Sequence, residues 1–186
     1  MRVDRNASRT RGELLAATVR ALLTHGPGVS IEVVARLAEV SKGGLLHHFP
    51  TKAELFVAMF DEYCVRYDQD VARWLKEEDG SVGSIARAHI HATFNEPASD
   101  TYLWWRAACI AGLSGIPAVE ERSRQAYREW QEEFDTDGLH PDRAAVIGQV
   151  LNGIALSALL ITPAEASDER MRELLIALTR QPGPLV

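Results

Sequence analysis

The chain has 186 residues, 46% hydrophobic and 25% charged, with a formal net charge of −6. This is an ordinary globular composition. The charge argues against indiscriminate binding to nucleic acid, and two cysteines without metal-ligand spacing argue against a disulfide framework or zinc site. Met1–Ser8 is polar and is expected to be a loose arm. Arg11–His25 is predicted to be a helix, with Leu15, Val19 and Leu22 on one face, stopped by Gly26-Pro27-Gly28. Ser30 suits the cap of a short second helix, Ile31–Ala38, that turns Val34 and Ala38 or Leu37 inward. Ser41 suits the cap of a third, which Pro50 must end because the residue before proline avoids helical angles.

A long helix is expected from Lys52 towards Leu75, then one capped by Ser81 and reaching about Phe94. The segment Asn95–Asp100 reads as a loop, with Asp100 opening a helix through about Leu113. Ala118–Phe134 carries a Tyr127, Trp130, Phe134 stripe, and helices from Pro141 to about Ile161 and ending near Thr179 follow. The most apolar run, Ala144–Ile161, contains Gln149, Asn152 and Ser157 and reads as a buried helix, not a membrane span. No basic start followed by an apolar stretch marks a secretory signal, so the expected compartment is the cytoplasm. The expected fold is all-α, about nine helices, with a three-helix head (1–53) and a larger helical body (54–186). The fourth helix, from about residue 52, links the two.

Charge is unevenly spread. Residues 1–52 hold eight basic against four acidic residues, a net +4, which leaves −10 for the remainder. A basic head on an acidic body suggests that one end meets an anion. The second and third helices, separated by Glu39-Val40, read as helix-turn-helix. In such units the later helix enters the major groove by its N-terminal end. With Ser41 as cap, Lys42 falls at the first helical position and Gly43 and Gly44 at the next two. A lysine there opposes the helix dipole by roughly 0.3–1 kcal/mol, and each glycine costs up to ~1 kcal/mol in a helix interior. Both costs make sense if phosphate completes the helix start and approaches a backbone bare of side chains. Thr51-Lys52-Ala53-Glu54 repeats the arrangement as a capping box with lysine again in first position.

The stretch "VSIEVVARLAEVSKGGLLHHFPTKAELF" resembles the DNA-binding head of the TetR family of bacterial transcriptional regulators. The residues that carry the resemblance are Ser30, Val34, Ala35, Ala38, Val40, Ser41, Gly43, Leu45, His48, Phe49, Thr51, Lys52 and Leu55. It covers roughly the first 60 residues; beyond them only length and helical pattern are similar. Two departures stand out. Glu39 occupies a turn position where glycine is common, so a residue with a side chain must take positive φ at modest cost. Leu46 replaces a tyrosine that in relatives contacts phosphate, leaving His47 or His48 to take its place.

The resemblance implies a ligand-responsive regulator that binds a palindromic operator in double-stranded DNA, released from it, if a repressor, by a small-molecule effector. Whether it represses or activates depends on operator position. Ser41, Lys42, Gly43, Gly44 and His47 would then face the groove or its phosphates, Thr51 and Lys52 would grip the backbone, and Ser30 would cap the second helix and touch phosphate. It also implies a homodimer through the last two long helices, about 141–161 and 164–179. Gly148, Gly153, Ala155, Ser157 and Ala158 would permit close approach there, beside a Met171–Leu178 stripe. The alternative is that both helices only complete the monomer core. By the same resemblance an effector would sit in the body, where His91, Phe94, Tyr102, Trp105, Cys109 and Trp130 are candidates and Tyr102, Trp105 and Cys109 share a helix face. Aromatic residues at this spacing are also what a plain core requires. No GxSxG, HExxH or Gly-rich loop after a strand suggests an enzyme, and His47-His48 lacks the further ligands a metal needs. Neither cofactor nor metal is expected.

Overall fold

A computed structural model describes residues 2–94, 100–157, 169–181 and 183–185, with side chains from residue 9 onward except at 155. Nine α-helices and no strand occur among the described residues: α1 (Arg2–His25), α2 (Ile31–Leu37), α3 (Lys42–His48), α4 (Lys52–Leu75), α5 (Ser84–Phe94), α6 (Asp100–Gly112), α7 (Pro117–Asp135), α8 (Pro141–Ser157) and α9 (Glu169–Thr179). The all-α expectation therefore holds. The expected loop over 95–99, the end of α8 beyond Ser157 and the start of the last helix before Glu169 lie outside the described residues, as do Ala158 and the side chain of Ala155.

The chain punctuates its helices locally. Gly26 closes α1 in a left-handed conformation (φ 74°), its N–H reaching the Leu22 carbonyl at 2.8 Å. Phe49, held before Pro50, is extended (φ −138°, ψ 92°) and ends α3. Two helices, α7 and α8, open on proline, whose missing N–H costs nothing in a first turn. Two expectations are corrected. The predicted loose arm is helical: α1 begins at Arg2, continuous with the segment expected only from Arg11. Polar composition does not forbid a helix, because the intrinsic helix cost of Arg, Asn and Asp is under ~1 kcal/mol per residue.

Second, Ser81 does not cap α5. The helix starts three residues later, and its free N–H groups are taken by a residue far along the chain: Asp137 Oδ1 accepts from Ile85 N and Oδ2 from Ala86 N, each at 2.9 Å. The Ser81 hydroxyl instead accepts from Arg87 at 3.0 Å.

The residues gather into two compact units. The first comprises residues 1–64 and 103–124. Its core joins Leu14, Leu15, Leu22, Val34, Leu45, Phe49, Leu55, Phe56 and Met59 with Trp104, Ala107 and Val119. The second comprises residues 65–102 and 125–186, around Ile90, Phe94, Phe134, Ile147, Leu151 and Leu175. Helices α4, α6 and α7 contribute residues to both.

Two buried arginines organise the second unit. Arg87 pairs with Glu78 at 2.7 Å and reaches Val82 O and Thr179 Oγ1. Arg143 donates to the carbonyls of Leu178, in the last turn of α9, and of Gly183 and Pro184 beyond it. Burial of a guanidinium is tolerable only with such full pairing.

Candidate nucleic-acid interface

The head is built around two short helices whose inner faces are fixed and whose outer faces are bare. Val34 and Ala35 anchor α2, and Leu45 (0% exposed) and Phe49 (2%) anchor α3. Leu37, an alternative inward residue, faces outward at 37% exposure. Each helix has its expected cap. Ser30 Oγ accepts from Val33 N at 3.4 Å, and Ser41 Oγ accepts from Gly44 N at 3.0 Å. Thr51 Oγ1 accepts from Glu54 N at 3.1 Å; the Glu54 carboxylate accepts from the same hydroxyl, where a capping box would have it accept from a backbone N–H. Between α2 and α3, Glu39 takes φ 56°, as its place in the turn requires.

The predicted DNA-facing residues Lys42, Gly43, Gly44 and His47 are exposed side by side on α3, and Ser30, Ser41 and Thr51 are exposed at their helix starts. A side chain at Gly43 would meet only Ser41 Oγ, at 4.0 Å, so nothing inside the protein demands glycine there. His48 and Leu46 are half-buried, and the two histidine rings touch edge to face.

One expectation about charge needs correction. Neither lysine at a helix start is left without a partner. Lys42 Nζ lies 2.7 Å from Glu32 Oε1 in the first turn of α2. Lys52 Nζ donates to Pro27 O at 3.2 Å and stands 5.0 Å from the centre of the Phe56 ring. The chain itself thus answers part of the electrostatic conflict assigned to phosphate. Lys42 holds the Glu32 carboxyl down at about 2, with help from a backbone N–H and the Ser30 hydroxyl. Sequence reasoning passed over Glu32, since its partner lies across the turn; an acid in the first turn of α2 ordinarily signals only a dipole contact.

Other cations of the head serve the fold. Arg11 lies over the Phe49 ring at 4.4 Å, and Arg20 donates to Leu37 O at 3.0 Å, satisfying a carbonyl at the end of α2.

The candidate effector residues fall in both units. Trp105 and Cys109 belong to the first unit, half-buried beside the inward face of α6 formed by Trp104, Ala107, Ala108 and Ala111. Burial pushes the Cys109 thiol up to about 12, so it is protonated at neutral pH. His91, Phe94, Tyr102 and Trp130 belong to the second unit. Phe94 and Trp130 both belong to its core, where the Trp130 and Phe134 rings pack at a tilt of 42° with centroids 4.5 Å apart.

His91 instead stacks on Trp74 at 4.7 Å; burial lowers its pKa, and His91 Nδ1 and Trp74 Nε1 are both buried without a hydrogen-bond partner among the described residues.

A buried polar cluster accompanies them. Trp130 Nε1 can only donate, and it points at His89 Nδ1 from 3.2 Å. That nitrogen is therefore the acceptor, and the ring proton sits on Nε2, donating to Glu133 Oε2 at 3.3 Å. The Glu133 carboxyl is lowered in pKa chiefly by this hydrogen bond. Tyr67 Oη, 3.0 Å from the same Nδ1, is pushed up to about 12 by burial.

On the later helices, α8 and α9 leave Val146, Leu156, Met171 and Leu174 exposed. Gly148, expected to serve close approach of a second chain, is occupied from within: a Cβ there would lie 2.8 Å from Trp130 Cη2. A Cβ at Gly153 would meet open space. No helix of the described residues is long and apolar enough to cross a membrane, and no group of three metal-ligating side chains occurs among them.

The model for bacterial regulatory proteins of the tetR family matches residues 14–59, and the model for the tetracyclin repressor-like C-terminal domain matches residues 83–180. Among characterised proteins, the HTH-type transcriptional repressor NemR of Escherichia coli is 30% identical over 88 residues, 47% of this chain and 44% of that protein. The HTH-type transcriptional regulator CymR of Pseudomonas putida is 45% identical over 56 residues, 30% and 28% of the two chains. The match thus spans less than half the length of either.

The solved structure of the multidrug binding protein EbrR complexed with malachite green superposes with a TM-score of 0.69 at 24% identity, covering 92% of this chain and 98% of that one. A TetR-family member from Streptomyces coelicolor A3 gives 0.72 at 22%, covering 92% and 99%. At such identities the structures establish the fold.

Proposed function

The chain belongs to the TetR family of bacterial regulatory proteins, and from that premise we propose that it is a cytoplasmic, non-enzymatic transcriptional repressor that a small molecule releases from a palindromic operator. The observation that carries this reading is α3. Its apolar side is locked by Leu45 and Phe49, while Lys42, Gly43, Gly44 and His47 are exposed at and beyond its N-terminal end, Lys42 paired with Glu32. A helix so anchored is a rigid blade for a major groove. Functionally, residues 1–53 form the DNA-binding head and 54–186 the effector-binding and dimerisation body. Ser41, Lys42, Gly43, Gly44 and His47 meet the groove or its phosphates; Ser30, Thr51 and Lys52 hold the backbone to either side.

The partner is a second copy, joined through the exposed apolar residues of the last two helices. Two heads must lie about 34–36 Å apart to enter successive major grooves. An effector that binds better to a dimer with another spacing weakens DNA binding by linkage. EbrR binds malachite green, which supports a body able to take a small organic molecule. His91, Phe94, Tyr102, Trp105, Cys109 and Trp130 are the residues put forward for that role. Selection of bound duplexes from random or genomic DNA tests the reading: a palindrome with half-sites about one helical turn apart supports it, and no enrichment at low salt refutes it. Sedimentation as a monomer at micromolar concentration would remove the dimer.

A further inference from the structure

Lys42 and Glu32 face each other across the helix-turn-helix at 2.7 Å, each about half exposed, and neither makes a second ion pair among the described residues. Lys42 occupies the first position of α3, where the helix dipole disfavours a cation and a nearby anion relieves it. Glu32 supplies that anion from the first turn of α2. One group put forward for phosphate contact is thus already engaged by a side chain of the head itself.

We propose that Glu32 is an affinity-determining residue of the head: its carboxylate stands in for phosphate on Lys42 in the free protein and must yield that lysine when DNA binds. This rests on the DNA-binding reading above. An ammonium holds two acceptors at hydrogen-bond distance no more than about 5.6 Å apart. A phosphate arriving on Lys42 therefore lies within one Debye length of the Glu32 carboxylate, about 10 Å at 0.1 M salt. Either the lysine swings away from Glu32, losing the pair, or two anions share it at close range. Both weaken binding, and neither depends on base sequence. The residue thus lowers the hold on every duplex, while specificity comes from groups that touch bases.

The test is fluorescence anisotropy of a mixed-sequence 30-base-pair duplex at fixed low salt, titrated with the full chain and with Glu32→Gln. Glutamine keeps the shape but loses the charge. Circular dichroism establishes that the variant is folded. Glu32→Gln is expected to bind about two- to fivefold more tightly, the size of an exposed ion pair, and in a Lys42→Met background the gain should fall to half or less. Equal or weaker binding by Glu32→Gln overturns the proposal, weaker binding being what a residue that positions Lys42 or reads a cytosine amino group would give. An undiminished gain without Lys42 also overturns it, because the effect would then be bare repulsion. If the unaltered chain fails to bind, the DNA-binding reading itself falls; if it binds and only the variant disagrees, the reading stands without this inference.

Discussion

Removing the Asp137 carboxylate tests how much of the second unit depends on a cap delivered from a distance. Asp137 is 7% exposed and holds two backbone N–H groups at the start of α5, those of Ile85 and Ala86, at 2.9 Å each. Ala86 is fully buried, so in Asp137→Ala its N–H has no water to turn to, whereas that of half-buried Ile85 is partly rehydrated. An orphaned buried donor costs about 1–3 kcal/mol, and loss of an ordinary N-cap costs ~0.5–2 kcal/mol. Together these give a destabilisation of about 3 kcal/mol, or a fall in Tm of roughly 6–12 °C for a chain of this size. The assay is urea unfolding followed by circular dichroism at one protein concentration, since the proposed dimerisation would make stability concentration-dependent. Asp135→Ala, at an exposed site on the same end of α7, is the control and should change stability by less than ~0.5 kcal/mol. Hydrogen exchange should show the loss first at the Ile85 and Ala86 amides. A loss below ~1 kcal/mol for Asp137→Ala, or one no larger than the control, would refute the reasoning.

Gly148→Ala should destabilise the second unit by about 1–3 kcal/mol through overpacking against the Trp130 indole, with a shift in tryptophan emission; unchanged stability would show that Trp130 moves aside freely. Glu39→Gly should stabilise the head by about 0.5–1 kcal/mol, because φ 56° suits glycine, and a drop in Tm would count against backbone strain at that turn. Lys52→Ala should weaken binding to all duplexes alike and lower the salt slope by about one unit, measured by anisotropy over a salt series; an unaltered slope removes Lys52 from the phosphate contacts. Gly43→Leu should abolish duplex binding without loss of stability, since a Cβ there comes no closer to the protein than 4.0 Å, to Ser41 Oγ, and retained affinity would argue against close backbone approach. Gly44 is a poorer choice: a Cβ there comes within 3.3 Å of the Ser41 capping oxygen.

What could be read in advance was local. Helix periods, the caps at Ser30, Ser41 and Thr51 and the stop at Pro50 depend on residues within a few positions of one another, and all appear in the structure, as does the positive φ of Glu39 that the family resemblance implied. The inward side of α2 followed from the same spacing, as Val34 shows. Apart from the N-terminal arm, the misreadings have a common cause. Ser81 had the right chemistry for a cap but lost the role to Asp137, 52 positions from the Ile85 amide that it holds. Gly148 was a candidate for contact with another chain until Trp130 filled the space beside it. Lys42 and Lys52 were correctly placed at helix starts, yet Glu32 and the Pro27 carbonyl lay outside any fixed sequence spacing. Backbone dihedrals and i, i+3 or i, i+4 contacts are set by the chain nearby, so the sequence by itself determined the helices, the ends that local caps and stops set, and the exposed face of α3. Which carboxylate meets which cation, and which void a glycine leaves, depends on how distant helices converge, and that only the tertiary structure decided.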